Sequence, residues 1–180
     1  MNFETKYILR YGIPGWIYIL FVTSYLIIID SPIVINYILN GGSLSLIGFG
    51  AILAGVGVPI GYLIHLISLC FSWIKIKDWD TYFNKELELD RDIINLENGD
   101  KLRERYRYLL SQVHGLKALL TSLSLVLITT IILMLTYKFE CYVLILIGIV
   151  IFLIWVVNKN REYYQSNLDH FLNNKFKLLK

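Results

Sequence analysis

The stretch Cys141–Val157, CYVLILIGIVIFLIWVV, decides the fold of this chain. Thirteen of its 17 residues are Ile, Leu, Val or Phe, and it contains no Asp, Glu, Lys or Arg. Each of those apolar residues favours insertion into a bilayer by roughly 0.3–0.6 kcal/mol. A helix needs about 17 apolar residues to cross the hydrocarbon core. The stretch therefore predicts a membrane-spanning helix.

Three further hydrophobic blocks have the same character, so the sequence predicts four spans. The other three are Ile13–Ile29, Leu46–Ile74 and Leu116–Tyr137. Hydrophobic residues make up 56% of the 180-residue chain, which is unusual for a soluble domain. We expect an all-α, polytopic membrane protein with a single membrane domain over residues 1–180.

The basic residues predict the orientation. Sixteen of the 17 Lys and Arg residues fall on the side of the membrane that also holds both termini, and Lys138 is the exception. Basic loops stay in the cytoplasm, so we expect a multi-pass protein of the cytoplasmic (inner) membrane. The connector 75–115 and the tail 158–180 are then cytoplasmic. Trp16, Trp73 and Trp155 mark the cytoplasmic ends of spans, where indole rings are favoured.

The sequence gives no sign of a cofactor, a metal or an enzyme. Cys70 and Cys141 are expected about a bilayer apart, which is too far for a disulfide. The chain has no CxxC, no HExxH and no phosphate-binding loop, so the usual metal and nucleotide motifs are missing. We therefore expect no catalytic residue, no cofactor and no metal.

The connector 75–115 is predicted to be a cytoplasmic helical hairpin. The turn Asn98-Gly99-Asp100 divides it into two helical segments, which continue spans two and three as an antiparallel pair. On the second segment one face is apolar at helical spacing, and the first segment carries a stripe expected to pack against it. The second-segment face consists of Leu102, Tyr106, Leu109 and Val113, and the first-segment stripe of Trp79, Phe83, Leu87 and Ile94.

Charge is segregated along the same hairpin. Residues 78–100 carry eight acids and two bases, and residues 101–117 carry five bases and one acid. We expect the two helices to neutralise each other, with His114 near Glu86 or Asp90 and Arg107 near Asp92. The alternative is a docking surface for a cytoplasmic protein or a small anionic ligand. Its residues would be Glu86, Asp90, Asp92, Arg103, Arg107 and His114.

The tail 158–180 is predicted to be an amphipathic helix, since its apolar residues share one side. These are Tyr164, Leu168, Phe171, Leu172 and Leu179. Such a helix either lies on the inner leaflet or packs on the hairpin, and the sequence leaves both open.

Span two carries the main candidate site, a face of small and polar residues within an arc of about 80° on a helical wheel. The face consists of Gly50, Ala54, Gly57, Gly61, His65, Ser68 and Ser72. Small residues allow the close backbone approach that joins helices in lipid. Span three offers a matching face, made of Ser111, Gly115, Ala118, Ser122, Thr129 and Thr136. We expect the two faces to pack together; the alternatives are packing in a homo-oligomer and the lining of a pore.

His65 is the ionisable residue near the middle of this span. Ionisable groups in membranes usually face a bundle interior or a watery cavity. His65 is therefore expected to form a hydrogen bond across a helix interface, to relay protons, or to gate a pore when it is protonated.

Residues 107–114, RYLLSQVH, have an Arg and a His separated by six residues. This spacing resembles the Arg-x4-6-His signature of HEPN-type ribonucleases. The resemblance covers eight residues and implies a nuclease-like site at Arg107 and His114.

The layout of spans, hairpin and tail resembles that of the small four-span effector and accessory proteins of prokaryotic antiviral systems. This resemblance implies an oligomeric effector or channel that permeabilises the cytoplasmic membrane in response to a cytoplasmic signal. The alternative is a non-conducting membrane anchor or sensor whose hairpin recruits a soluble partner. The partners expected are the lipid bilayer and further copies of the chain.

Overall fold

The described part of the chain is all-helical in a computed structural model, which describes residues 3–30, 32, 36, 43–72, 78–94 and 99–178. Five long helices account for nearly all of these residues. They are α1 (Phe3–Ile29), α2 (Ser43–Ser72), α3 (Trp79–Ile94), α4 (Gly99–Thr136) and α5 (Cys141–Leu178). Helices α1, α2, α4 and α5 are each long and apolar enough to cross a membrane, which confirms the four predicted spans.

Helix α4 packs on each of the other four long helices, and α1 lies beside it. Helix α1 packs on α2 and on α4, and α5 packs mainly on α4. Side-chain hydrogen bonds join α1 to α4: the Ser122 hydroxyl donates to the Pro14 carbonyl oxygen at 2.6 Å, and the Tyr18 and Thr129 hydroxyls lie 3.1 Å apart. We expected span two to pack on span three, but α2 meets α1 far more extensively than it meets α4.

At one end of the bundle, here called the loop end, α1 is fixed to the loop that joins α4 to α5. Tyr25 is fully buried beside Val143, and its hydroxyl donates to the Lys138 carbonyl oxygen at 3.0 Å. The Tyr137 hydroxyl donates to a carboxylate oxygen of Asp30 at 2.5 Å. These contacts pair the end of α1 with the start of α5.

The opposite end carries a polar unit, which we define as α3, residues 99–115 of α4 and residues 158–178 of α5. Both α4 and α5 run from the bundle into this unit without a break. Leu109 and Val113 of α4 are buried against Leu168 of α5. The tail therefore continues span four and packs on the second segment of the hairpin, as one of the two alternatives predicted.

Helix α3 is a separate helix and does not continue span two. Asp78 lies outside the helix and caps its first turn: one of its carboxylate oxygens accepts the Thr81 amide at 3.1 Å. The structure has two helical segments in this region, because α3 ends at Ile94 and α4 begins at Gly99. Gly99 and Asp100 of the predicted turn belong to the first turn of α4, and Asn98 lies outside the described residues.

The predicted packing stripe of α3 is wrong. Trp79, Phe83 and Leu87 are exposed, and among the α3 side chains that the structure describes, the buried one is Ile93, at 1% exposure. The reason is competition for the apolar face of α4: the side chain of Leu168 from α5 occupies it. The last member of the predicted stripe, Ile94, has a side chain outside the described part.

Candidate functional site

The most closely packed point of the bundle is a crossing of α1 and α2 at three glycines, Gly15, Gly57 and Gly61, which we call the glycine crossing. A Cβ atom on Gly15 would lie 2.6 Å from the Gly61 nitrogen, and one on Gly61 would lie 2.9 Å from the Gly15 nitrogen. A Cβ on Gly61 would also overlap the Tyr11 carbonyl oxygen. The backbones are in direct contact, so no larger residue fits without separating the helices.

The sequence explains why α2 meets α1 here. Gly57 and Gly61 are four residues apart and therefore share a face, which leaves a shallow groove along the helix. The Trp16 ring fills the part of that groove beside Gly57, because a Cβ on Gly57 would overlap the indole. Close approach over so many backbone atoms gains dispersion energy, which is the main attraction between helices in lipid.

His65 and Ser68 continue this face and are both buried, each at 4% exposure. The Tyr11 ring lies edge-on to the His65 imidazole, with ring centroids 5.1 Å apart. The Tyr62 ring also lies edge-on to the Tyr11 ring, with centroids 5.5 Å apart. His65 is therefore enclosed between α1 and α2, and its imidazole is shielded by an aromatic ring from α1.

The other half of the predicted face is not packed. Gly50 and Ala54 are exposed, and a Cβ added to Gly48, Gly50 or Gly55 would meet nothing within 4 Å. The seven-residue face is thus two surfaces: a buried half from Gly57 to Ser68 and an exposed half toward the start of α2. The side chain of Ser72 lies outside the described part.

The small face predicted on span three is divided in a similar way. Ala118 and Ser122 are fully buried, and Ser122 bonds to α1. Ser111 and Thr136, at the two ends of the face, are exposed. Both small faces therefore use α1 as their partner.

In the polar unit, an ion pair between α3 and α4 joins Asp90 to Arg103, with 3.7 Å between nitrogen and oxygen. Both side chains are partly exposed, so the pair contributes at most about 1 kcal/mol. The Tyr82 hydroxyl donates to a Glu86 carboxylate oxygen at 2.8 Å. Burial raises the pKa of Tyr82, and the adjacent Glu86 carboxylate raises it further. Asp90 of α3 thus meets Arg103 of α4.

Arg107 and His114 are seven positions apart on α4, which is about 10 Å along the helix axis. Arg107 is exposed, whereas His114 is half-buried. The nuclease-like site at these two residues stays a prediction. Asp92 of α3, the other predicted docking residue, is half-buried.

The exposed stripe of α3 is the main apolar feature of the polar unit. The Trp79 and Phe83 rings are stacked, with centroids 5.8 Å apart and an angle of 24° between their planes. Leu87 follows one turn later and is 64% exposed. Large apolar side chains in a row on a polar surface commonly mark an interaction site.

Sequence reasoning missed the contribution of α1 to the glycine crossing. Gly15 and Tyr11 supply the backbone that α2 contacts. The available signal was the pair Gly12 and Gly15, which flank Pro14 near the start of span one. Small residues three apart share one side of a helix, as the residues of span two do.

The described residues bring together no group of three His, Cys, Asp or Glu side chains that would suit a metal ion. The cysteines at positions 70 and 141 are both exposed thiols.

The fold and these sites define a class of protein: an all-helical, multi-pass membrane protein with a polar helical unit at one end. Comparison with known proteins goes no further, since no family model, no curated protein and no solved structure matches the chain. Its function has to be inferred from its own geometry.

Proposed function

We propose that this chain is an oligomeric effector of the cytoplasmic membrane, channel-like in action, that permeabilises the membrane when its polar unit receives a cytoplasmic signal. The polar unit and both termini lie in the cytoplasm, as the distribution of Lys and Arg favours. The layout shared with small four-span effectors of prokaryotic antiviral systems is consistent with this role.

The observation that carries the proposal is the continuity of α4 and α5. Each has 38 residues, which is about 57 Å of helix, whereas the hydrocarbon core is about 30 Å thick. About half of each helix therefore belongs to the polar unit. Because the two helices are also packed together there, a displacement of the polar unit tilts or shifts their membrane-spanning halves.

The glycine crossing supports a closed resting arrangement. Gly57 and Gly61 touch the α1 backbone, so no path runs along this part of α2 until the two helices separate. His65 lies directly beside the crossing, in contact with Tyr11. In our proposal, opening loosens this contact and exposes His65 and Ser68 to the path.

The exposed half of α2 supports assembly with further copies. It presents small residues on a surface that no described residue covers within 4 Å of the added Cβ positions at Gly48, Gly50 and Gly55. Helices in lipid associate through such residues. A neighbouring copy packed there would surround a path with several α2 helices, which a single chain of four spans cannot do.

Release of ions and dye from sealed liposomes tests the proposal. The wild-type protein is compared with Leu168→Ala, which loosens the polar unit, and with His65→Leu. We expect Leu168→Ala to raise the release rate and His65→Leu to lower or abolish it. His170→Leu is the matched control, because His170 is an exposed histidine on α5. Inserted protein that releases nothing in any of these forms would contradict a channel.

A second candidate function is a non-conducting anchor or sensor that recruits a soluble partner. The exposed, stacked Trp79 and Phe83 favour it, because a surface of this kind in the aqueous phase is suited to protein contact. An anchor tolerates His65→Leu in a cellular assay. It loses activity when both aromatic residues are replaced by Ser, or when Glu86, Asp90 and Asp92 are reversed to Lys.

A further inference from the structure

The register of α4 against α5 places two cations side by side. The helices are antiparallel, with Leu109 packed near Leu168 in the polar unit and Leu133 packed near Val143 at the loop end. Lys117 lies eight residues from Leu109 toward the bundle, and Arg161 lies seven residues from Leu168 in the same direction. Both steps are about 10–12 Å, so Lys117 and Arg161 lie at the same level.

The faces of the two helices bring these residues together. Arg161 is two helical turns from Leu168 and therefore shares the side of α5 that packs on α4. Lys117 is four residues from Val113, which belongs to the same packed cluster. Lys117 and Arg161 are close enough for the charge of Arg161 to disfavour the charged form of Lys117, in addition to the burial of Lys117. Both side chains are half-buried rather than exposed.

Within the described part of the chain, neither cation forms an ion pair with a carboxylate. The acid nearest to Arg161 in sequence is the adjacent Glu162, and the positive charge of Arg161 stabilises its carboxylate. Its carboxylate is bonded instead to the Lys159 ammonium at 2.9 Å and to the Asn158 amide at 2.9 Å. Two half-buried like charges without an anion repel each other and lose hydration, so this arrangement calls for a negative partner.

The location of the pair indicates the anion. Lys117 is the second residue of the third predicted span, and Arg161 is four residues beyond the last apolar residue of the fourth. This level is the boundary between hydrocarbon and lipid headgroups. There the long stem of a lysine can lie in the apolar layer while its ammonium reaches the headgroups. Anionic lipid phosphates are the abundant negative groups at this boundary.

We propose that Lys117 and Arg161 together bind the phosphate group of an anionic phospholipid, from the leaflet on the side of the polar unit. The guanidinium of Arg161 can hold two phosphate oxygens at once, and the Lys117 ammonium adds a compact positive charge. The bound lipid screens the two cations from each other and so stabilises the contact between α4 and α5. The site does not depend on whether the protein conducts ions.

Thermal unfolding of the full chain in lipid nanodiscs tests this site. The discs contain either phosphatidylcholine alone or an equimolar mixture with phosphatidylglycerol. We expect phosphatidylglycerol to raise the Tm of the wild type, and we expect this rise to be lost in Lys117→Gln and Arg161→Gln. In phosphatidylcholine alone, the two variants should match or exceed the Tm of the wild type, because the repulsion is gone.

Two controls keep this result specific. Lys117→Arg keeps the charge and should keep the rise. Arg107→Gln, about 15 Å from Lys117 along α4, removes an exposed positive charge from the same helix and should also keep it. Native mass spectrometry should show the retained phosphatidylglycerol falling about tenfold in Lys117→Gln, which is a loss of about 1.4 kcal/mol.

Three results would overturn the proposal. The first is an equal rise of Tm for the wild type and both Gln variants, which would make the lipid effect non-specific. The second is a Tm of the Gln variants below that of the wild type in phosphatidylcholine alone, which would make the pair structural. The third is an equal rise on adding inorganic phosphate to discs of phosphatidylcholine, which would assign the site to soluble phosphate.

Discussion

The substitution Gly61→Ala is the sharpest test of the glycine crossing. The added methyl group would overlap the Tyr11 carbonyl oxygen, and it would lie 2.7 Å from the Tyr11 carbonyl carbon and 2.9 Å from the Gly15 nitrogen. All three are backbone atoms of α1, so no side-chain rotation relieves the overlap. The two helices have to move apart, and the contacts around Gly57 are weakened at the same time.

The expected magnitude follows from two opposing effects. Overpacking of a well-packed interior costs typically 1–3 kcal/mol, and an overlap with backbone belongs at the upper end, near 3 kcal/mol. Replacing Gly by Ala inside a helix returns about 1 kcal/mol. We therefore expect Gly61→Ala to lower the free energy of unfolding by about 2 kcal/mol, which is about a 30-fold change in the ratio of folded to unfolded protein.

Gly50→Ala is the matched control, because it makes the same change in the same helix where an added Cβ meets nothing within 4 Å. It should be neutral or stabilising by up to about 1 kcal/mol. Unfolding by titration with a denaturing detergent, followed by tryptophan fluorescence, measures both variants. If the two free energies of unfolding agree within about 0.5 kcal/mol, which is the usual range for unremarkable surface substitutions, the crossing is not packed as described.

Three further substitutions test other contacts. Ser122→Ala removes the bond to the Pro14 carbonyl and should cost about 0.6 kcal/mol, the average for such bonds in membranes. The same detergent titration measures this loss, and no change in the free energy of unfolding would show that the bond is not formed. Leu168→Ala leaves a cavity against Leu109 worth about 2–5 kcal/mol, so hydrogen exchange should accelerate in residues 105–113 and not in residues 118–130. Asp78→Ala removes the cap of α3 and about 1 kcal/mol of helix stability, so the Thr81 amide should exchange faster than in the wild type, while equal rates would argue against the cap.

The sequence was sufficient to predict the four spans but not to predict which spans pack against each other. Each span depends on its own composition, which is a local property, and all four are present. The small face of α2 was also evident from the spacing of Gly57 and Gly61. Spacing identifies a face without identifying its partner, however, and three other spans were available. Helix α2 packs on α1 because Gly15 allows backbone contact there. Ser122, on the small face of α4, is bonded to α1 rather than to α2.

In the polar unit, the sequence did not predict which helix covers the apolar face of α4. Apolar stripes on α3 and α4 were predicted from helical spacing to pack on each other. Trp79 and Phe83 of α3 are exposed instead, whereas α5 continues beyond its span and Leu168 packs on Leu109 of α4. Whether span four ends at Val157 or extends as one helix depends on this packing. The residues after Val157 are polar on one side and apolar on the other, and such a pattern suits a membrane surface as well as a helix partner.

The contacts of α1 bear on the proposed opening. Helix α1 is bonded to α4 through Ser122 and Tyr18, and it touches α2 through the glycine crossing. A movement of α4 that starts in the polar unit therefore reaches α2 through α1 as well as through the direct packing of α4 on α2. Toward the start of α2, Gly50 and Ala54 are exposed, whereas the glycine crossing is in backbone contact with α1. In the proposed opening, the glycine crossing is the pivot about which α2 turns.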